Sequence, residues 1–159
     1  MPDFAQIVVI PFENREFDEG IGNHQMPNYN LLAAQYTLLT QYYTIQHPSL
    51  PDQIESFGRT WKAYMEDMPS SCFIGNKGNY VQKHDPFIYF DSIRLDTARC
   101  QRSVVPLTDL STDLTSGVLP DFAYSMPNLC NSAHNATSLN PFCSLGTVDD
   151  WLGKVVQKL

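Results

Sequence analysis

Ile7-Val8-Val9-Ile10, followed directly by Pro11-Phe12-Glu13-Asn14-Arg15-Glu16-Phe17-Asp18, is the stretch that decides the fold. Four β-branched residues in a row read as a fully buried strand, and strands buried on both faces belong to parallel sheets covered by helices. In open sheets of that kind ligands bind in the crevice beyond the carboxyl ends of the strands. Glu13 and Asn14 fall at that edge. Further along, His47-Pro48-Ser49-Leu50-Pro51 holds a serine in a short segment between two prolines. A hydroxyl placed there is a candidate nucleophile, provided that a metal or a base activates it.

Outward from these segments the chain alternates. Apolar residues at helical spacing predict a helix from about Asn28 through Gln35, and Tyr36 to Gln46, rich in Thr, Tyr and Leu, reads as a strand. Asp52 to Phe57 reads as a short helix stopped by Gly58, and Thr60 to Met65 as a strand. Pro69 to Arg102 looks like one long loop with glycines and two cysteines, a length that calls for a function or a cross-link. Leu107 to Leu114 is expected as a helix ending before Gly117, Asp121 to Met126 as a strand, and Val148 to Leu159 as a helix with Asp149 and Asp150 at its positive end. The expected fold class is α/β, a mostly parallel sheet flanked by helices. No internal repeat or low-complexity tract interrupts it.

With 159 residues, 43% of them hydrophobic, the chain is expected to form a single domain over residues 1–159. Ten basic residues against seventeen acidic ones, a formal charge of -7, argue against nucleic acid or an anionic membrane surface as the main partner. No run approaches the roughly 20 apolar residues of a transmembrane helix, and no signal peptide is recognisable at the N-terminus. Cys72, Cys100, Cys130 and Cys143 contain no C-x-x-C pair, which disfavours structural zinc; two disulfides are possible in three connectivities, of which we favour Cys72–Cys100 with Cys130–Cys143. Disulfides imply an oxidising compartment. Asn135-Ala136-Thr137 is a glycosylation sequon.

Glu13 offers a hard oxygen ligand, Asn14 an amide for a metal or a phosphate oxygen, and Ser49 an attacking group. The plainer alternative is that Glu13 and Asn14 fix a turn or cap a helix and that Ser49 is an ordinary loop serine. Five collinear blocks decide between the two: Ile7 to Asp18 (IVVIPFENREFD), Leu31 to Leu50 (LLAAQYTLLTQYYTIQHPSL), Thr60 to Ser70 (TWKAYMEDMPS), Lys83 to Ser92 (KHDPFIYFDS) and Leu119 to Asn131 (LPDFAYSMPNLCN). In order and over nearly the whole chain, they resemble the phosphoesterase family of secreted acid phosphatases and phospholipase C enzymes.

That resemblance implies an alkaline-phosphatase-like fold and a hydrolase acting on phosphate ester bonds through a metal-assisted serine. Carried over position by position, Glu13 and Asn14 match a metal-binding pair, with His134 as a further ligand, and Ser49 matches the nucleophile of an H-P-S-x-P-N pattern. Lys83 and His84 match a K/R-H-N-P-F block whose histidine faces the site; such a histidine could orient a phosphate oxygen or protonate a leaving group. Lys83 and Asn128 are expected on the substrate side, and a divalent ion of unknown identity as cofactor. The substrate is expected to be a small phosphate ester or a phospholipid, and the location secreted or extracytoplasmic.

The chain also departs from the pattern. After Pro51 the family continues through a further segment, whereas here Asp52-Gln53 follows at once. Ser132 and Asn135 stand where the pattern has aspartates. The family's D-E and G-G-H motifs lie beyond the last block. An incomplete sheet of this kind predicts an open strand edge, self-association, and weak or absent activity, with a non-catalytic binding module as the alternative.

Overall fold

The computed structural model describes residues 5–12, 20–38, 49–134 and 143–159. The chain divides into two compact units, Met1–Pro11 with His47–Asn128, and Phe12–Gln46 with Leu129–Leu159.

The first unit is built on a four-stranded, all-parallel sheet in the order β1-β4-β2-β3, comprising β1 (Ile7–Val9), β2 (Trp61–Met65), β3 (Val104–Pro106) and β4 (Phe122–Met126). The α/β expectation therefore holds. Parallel pairing sets Trp61 to Met65 against Phe122 to Met126 residue for residue, and Ile7 to Val9 against Phe122 to Tyr124. Asp121 fixes this register at the amino ends. Its carboxylate accepts Thr60 N at 2.7 Å, Thr60 Oγ1 at 2.8 Å and Arg59 Nη1 at 3.0 Å, while its carbonyl accepts Ile7 N at 2.8 Å. Those hydrogen bonds, that from Thr60 N foremost, hold the Asp121 pKa down at about 2.

Both faces of the central strands are covered. Trp61, Ala63 and Met65 pack on one face with Phe87, Ile88, Ile93, Val104 and Met126, and Tyr64, Val105, Leu110 and Ala123 make a second core on the other. Trp61 stacks on Phe87 with ring centroids 5.0 Å apart. β1 corrects the sequence reading: Ile7 is 46% exposed and Val8 and Val9 only half-buried, so it is an edge strand of the described sheet rather than a fully buried one.

The stretch read as a long loop is another correction. Residues 69–102 fold into two single 3₁₀ turns (Gln82–His84 and Phe87–Tyr89) and two helices, which with α1 (Pro27–Gln35) and α2 (Leu50–Ser56) before them become α3 (Asp91–Arg94) and α4 (Thr97–Ser103). Each is too short for a 3.6-residue pattern to stand out. Helix α5 (Thr108–Ser116) ends as expected at Gly117, whose φ of +69° is the left-handed C-cap conformation glycine adopts cheaply. Of the strand expected from Tyr36 to Gln46, Tyr36 to Leu38 are not extended in a sheet and residues 39–46 lie outside the described set. Both disulfides take the favoured pairing, Cys72–Cys100 and Cys130–Cys143, with Cα atoms 5.3 and 4.7 Å apart.

The second unit packs α1 with α6 (Leu145–Val156) around Met26, Ala133 and Val148. Helix α6 starts three residues earlier than its pattern suggested, capped by Ser144 Oγ, which accepts Thr147 N at 3.2 Å. Asp149 and Asp150 consequently sit in its second turn, not at its positive end.

Candidate functional site

Strand polarity puts the carboxyl ends of β2 and β4 side by side, and the chain that leaves them carries Glu66-Asp67 and Pro127-Asn128. Asn128 ties the two strand exits together: its backbone N donates to Glu66 Oε2 at 2.9 Å and its Nδ2 to Asp67 Oδ2 at 2.8 Å. Asp67 is held at φ +60°, a left-handed conformation that an aspartate adopts at a cost. Glu66, Tyr80, Val81, His84, Pro127 and Asn128 line a crevice here that is too tight to admit water. A roomier groove, of about 280 Å³, lies at the amino ends of the strands, where Arg59, Lys62, Trp61 and Arg102 line it.

His84 closes the 3₁₀ turn Gln82–His84 and is 6% exposed. Next to it Asp85 is fully buried. One of its oxygens, Oδ1, accepts Phe87 N at 3.0 Å. Burial is the dominant influence on this carboxyl and pushes its pKa up to about 7, against the opposing hydrogen bonds from the Phe87 and Ile88 amides and Tyr80. Burial, and then the nearby Asp85 charge, raises the Tyr80 hydroxyl well above its ordinary range. Lys83, on the same turn, is exposed.

Ser49 is the N-cap of α2, yet its side chain makes no capping hydrogen bond. Its Oγ is shielded from solvent. It lies near enough to Asp52 to lower that pKa without the two forming a well-shaped hydrogen bond; the larger cause of the lowering is the Arg99 guanidinium, whose Nη2 lies 2.8 Å from Asp52 Oδ1.

Of the residues singled out from sequence, the structure brings His84 and Asn128 to one crevice, places Lys83 beside His84, and puts Ser49 at a helix start in the same unit. His134 lies in the second unit, half-buried, with its backbone N 3.4 Å from Ser132 Oγ. Glu13 and Asn14 lie outside the described residues. Among the described residues no group of three or more His, Cys, Asp or Glu side chains is arranged to hold a metal ion. The hard-oxygen donors at the strand exits are two, Glu66 and Asp67, both engaged by Asn128, and they do not amount to a metal site by themselves. Sequence reading missed this pair, although their position directly after a strand, in the TWKAYMED block, was the signal that could have found them.

Comparison with known proteins adds a family and its members. The profile of the Phosphoesterase family matches residues 45–142, which include Ser49, Lys83, His84, Asn128 and His134. A probable acid phosphatase of Kluyveromyces lactis is 25% identical over 84% of this chain and 40% of its own length, and a phosphate-repressible acid phosphatase of Penicillium chrysogenum 28% identical over 83% and 40%. A phosphatidylinositol-3-phosphatase of Mycobacterium tuberculosis is 24% identical over 97% of this chain and 57% of its own length. The chain thus spans about 40% of the length of the fungal relatives. No solved structure matches it.

Proposed function

Because this chain belongs to the Phosphoesterase family, we propose that it is the nucleophile-bearing part of a phosphate ester hydrolase of the acid phosphatase type. The observation that carries the reading is that Ser49, His84 and Asn128 fall inside the matched span and in one compact unit, with His84 and Asn128 meeting at the carboxyl edge of a parallel sheet, where α/β enzymes bind ligands. In the proposed reaction Ser49 Oγ attacks phosphorus while its proton passes to solvent water, the P–O bond to the alcohol breaks, and His84 supplies the proton that the leaving oxygen takes up. Water then releases phosphate from the serine. Lys83 and Asn128 hold the non-bridging oxygens, Lys83 as a point charge.

A divalent cation would neutralise charge on those oxygens. Glu13, Asn14 and His134 are the residues proposed to hold it. Two disulfides and the acid phosphatase relatives support an oxidising, extracytoplasmic location; no described helix is long and apolar enough to cross a membrane.

The second reading is a binding module that keeps the sheet and has lost turnover. The shielded Ser49 Oγ, and Ser132 and Asn135 in place of carboxylates, favour it. Hydrolysis of a chromogenic phosphate monoester by the purified chain, with and without divalent metals and beside Ser49→Ala, separates the two. Turnover lost in the variant supports the hydrolase; no turnover from folded protein supports the binding module; turnover retained in Ser49→Ala removes the serine from the mechanism.

A further inference from the structure

We infer that Arg99 is a positioning residue for Ser49, acting through Asp52 and Glu55 to fix the helix start that carries the hydroxyl. The inference rests on the reading of Ser49 as nucleophile. Helix α2 has seven residues, too few to hold its own shape in water, and only Pro51 of them is buried. Its direction must therefore be set by tertiary anchors. Asp52 and Glu55, three residues apart, share a face.

One guanidinium engages both. Arg99 Nη2 lies 2.8 Å from Asp52 Oδ1 and 3.0 Å from Glu55 Oε2, and its Nε donates to Glu55 Oε1 at 3.2 Å. Nη1 donates to the Ser92 carbonyl at 3.0 Å, so the fork is fastened to α3 as well as to its own helix α4. Two further bonds complete the clamp. Ser92 Oγ donates to Asp52 Oδ2 at 3.0 Å and Trp61 Nε1 to Glu55 Oε1 at 2.7 Å, which links α2 to the buried start of β2.

The Arg99 side chain is 11% exposed while Asp52 and Glu55 are 47% and 42% exposed, so water screens each pair in part and the anchor holds through several contacts to one guanidinium. Serving two carboxylates and a carbonyl at once uses the planar, multi-donor geometry of arginine; the ammonium of lysine has no such fork. Asp52 stands immediately after Pro51, at the point where the family pattern carries a further segment, and its carboxylate faces the Ser49 hydroxyl in the first turn of the helix. The clamp therefore holds an acidic group next to Ser49 as well as the helix itself. Displacing a reacting group by about 1 Å can cost on the order of a hundredfold in rate, which is what such an anchor prevents.

The test reads the position of residue 49 without needing turnover. All four native cysteines are in disulfides, so Ser49→Cys introduces the single free thiol of the chain. Its alkylation rate by iodoacetamide is compared in Ser49→Cys alone and combined with Arg99→Ala or Arg99→Lys, with amide hydrogen exchange followed in parallel. The expected result is a change of at least fivefold in thiol reactivity with Arg99→Ala, partly reversed by Arg99→Lys, faster exchange over residues 50–56, and unchanged protection in β2. In the otherwise native chain Arg99→Ala should lower kcat for p-nitrophenyl phosphate tenfold or more at little change in KM.

Equal thiol reactivity with and without Arg99 overturns the inference, as does a loss of protection that extends into β2, which would mark a purely structural role. So does an unchanged kcat in Arg99→Ala. A wild-type chain without turnover defeats the nucleophile reading alone, and the thiol and exchange results then decide whether the anchor stands.

Discussion

The carboxylate of Asp149, in the middle of α6, caps the amino end of α1: Oδ2 accepts Asn28 N at 3.0 Å and Oδ1 accepts Tyr29 N at 2.8 Å, with Asn28 Nδ2 adding a third bond to Oδ2 at 2.9 Å. Helix α1 opens Met26-Pro27, and Met26 provides no side-chain cap. Two of the amides that every helix start leaves without a partner are satisfied instead by a residue about 120 positions away. A negative charge at that place also complements the helix dipole.

Asp149→Ala should therefore destabilise the chain by about 1–3 kcal/mol, the cost of leaving buried donors unmet together with the loss of a charged cap. Urea unfolding of the variant, with the slope unchanged, measures it, and exchange of the Asn28 and Tyr29 amides localises it. Unchanged protection at those two amides would disprove the cap.

How much of this was legible in the sequence depends on where the information sits. The strands Trp61–Met65 and Phe122–Met126 were readable because burial on both faces demands runs of apolar and aromatic residues, and Gly58 and Gly117 gave the ends of the helices before them. The Asp149 cap was not readable, since its partners are brought together only by packing of α1 on α6. Asp149 read instead as a first-turn acid of its own helix. The turns and short helices of residues 82–103 were lost for another reason: elements of three to seven residues present no full period, and Ile88, Ile93 and Cys100 are buried from all sides rather than along one stripe. His84 and Asn128, singled out by local motifs, line one crevice, whereas the bridging of Glu66 and Asp67 by Asn128 is a relation between two strand exits.

Asp85 should make stability depend on pH in a direction opposite to that of most aspartates. Its folded pKa is raised to about 7 by burial, above the ordinary value of 3.8. The folded state therefore holds a proton that the unfolded chain has released, and the associated stability is fully present below about pH 4 and lost as pH rises towards 7. The loss is on the order of a few kcal/mol. Asp85→Asn keeps an oxygen for the Phe87 amide and carries no charge, and it restores the residue of the K/R-H-N-P-F block. Denaturation midpoints of wild type and Asp85→Asn at pH 5 and pH 8 should diverge at the higher pH, with the variant the more stable; parallel curves would show that Asp85 does not titrate in this range.

The two disulfides should contribute unequally because they close loops of different length. Cys72–Cys100 spans 28 residues and Cys130–Cys143 spans 13, which in the chain-entropy account correspond to about 3.6 and about 2.9 kcal/mol. Cys72 and Cys100 also pack into the main core, with Cys100 fully buried. Replacing each pair by serine and comparing denaturation midpoints tests this. The Cys72/Cys100 double variant should be the less stable of the two, and the reverse order would place the more important constraint in the second unit.

A last prediction concerns a polar cluster under the sheet. Asp113, on α5, accepts from Lys62 Nζ and from Tyr64 OH through the same oxygen, each at 2.6 Å, and Tyr64 is fully buried in the centre of β2. Burial, and then the bond to Asp113, drives the Tyr64 hydroxyl far above its ordinary pKa, so the tyrosine stays protonated and acts only as a donor. Tyr64→Phe removes one bond and leaves Asp113 with Lys62, which should cost about 1 kcal/mol. Asp113→Ala does more harm: it strips the acceptor from a buried hydroxyl and from a partly buried ammonium at once, for about 2–4 kcal/mol. In the double variant the tyrosine hydroxyl is no longer present to be stranded, so the combined cost should fall short of the sum of the single ones. Additive costs in that cycle would mean that Tyr64 and Asp113 act independently, and that the shared oxygen is not what binds α5 to the sheet.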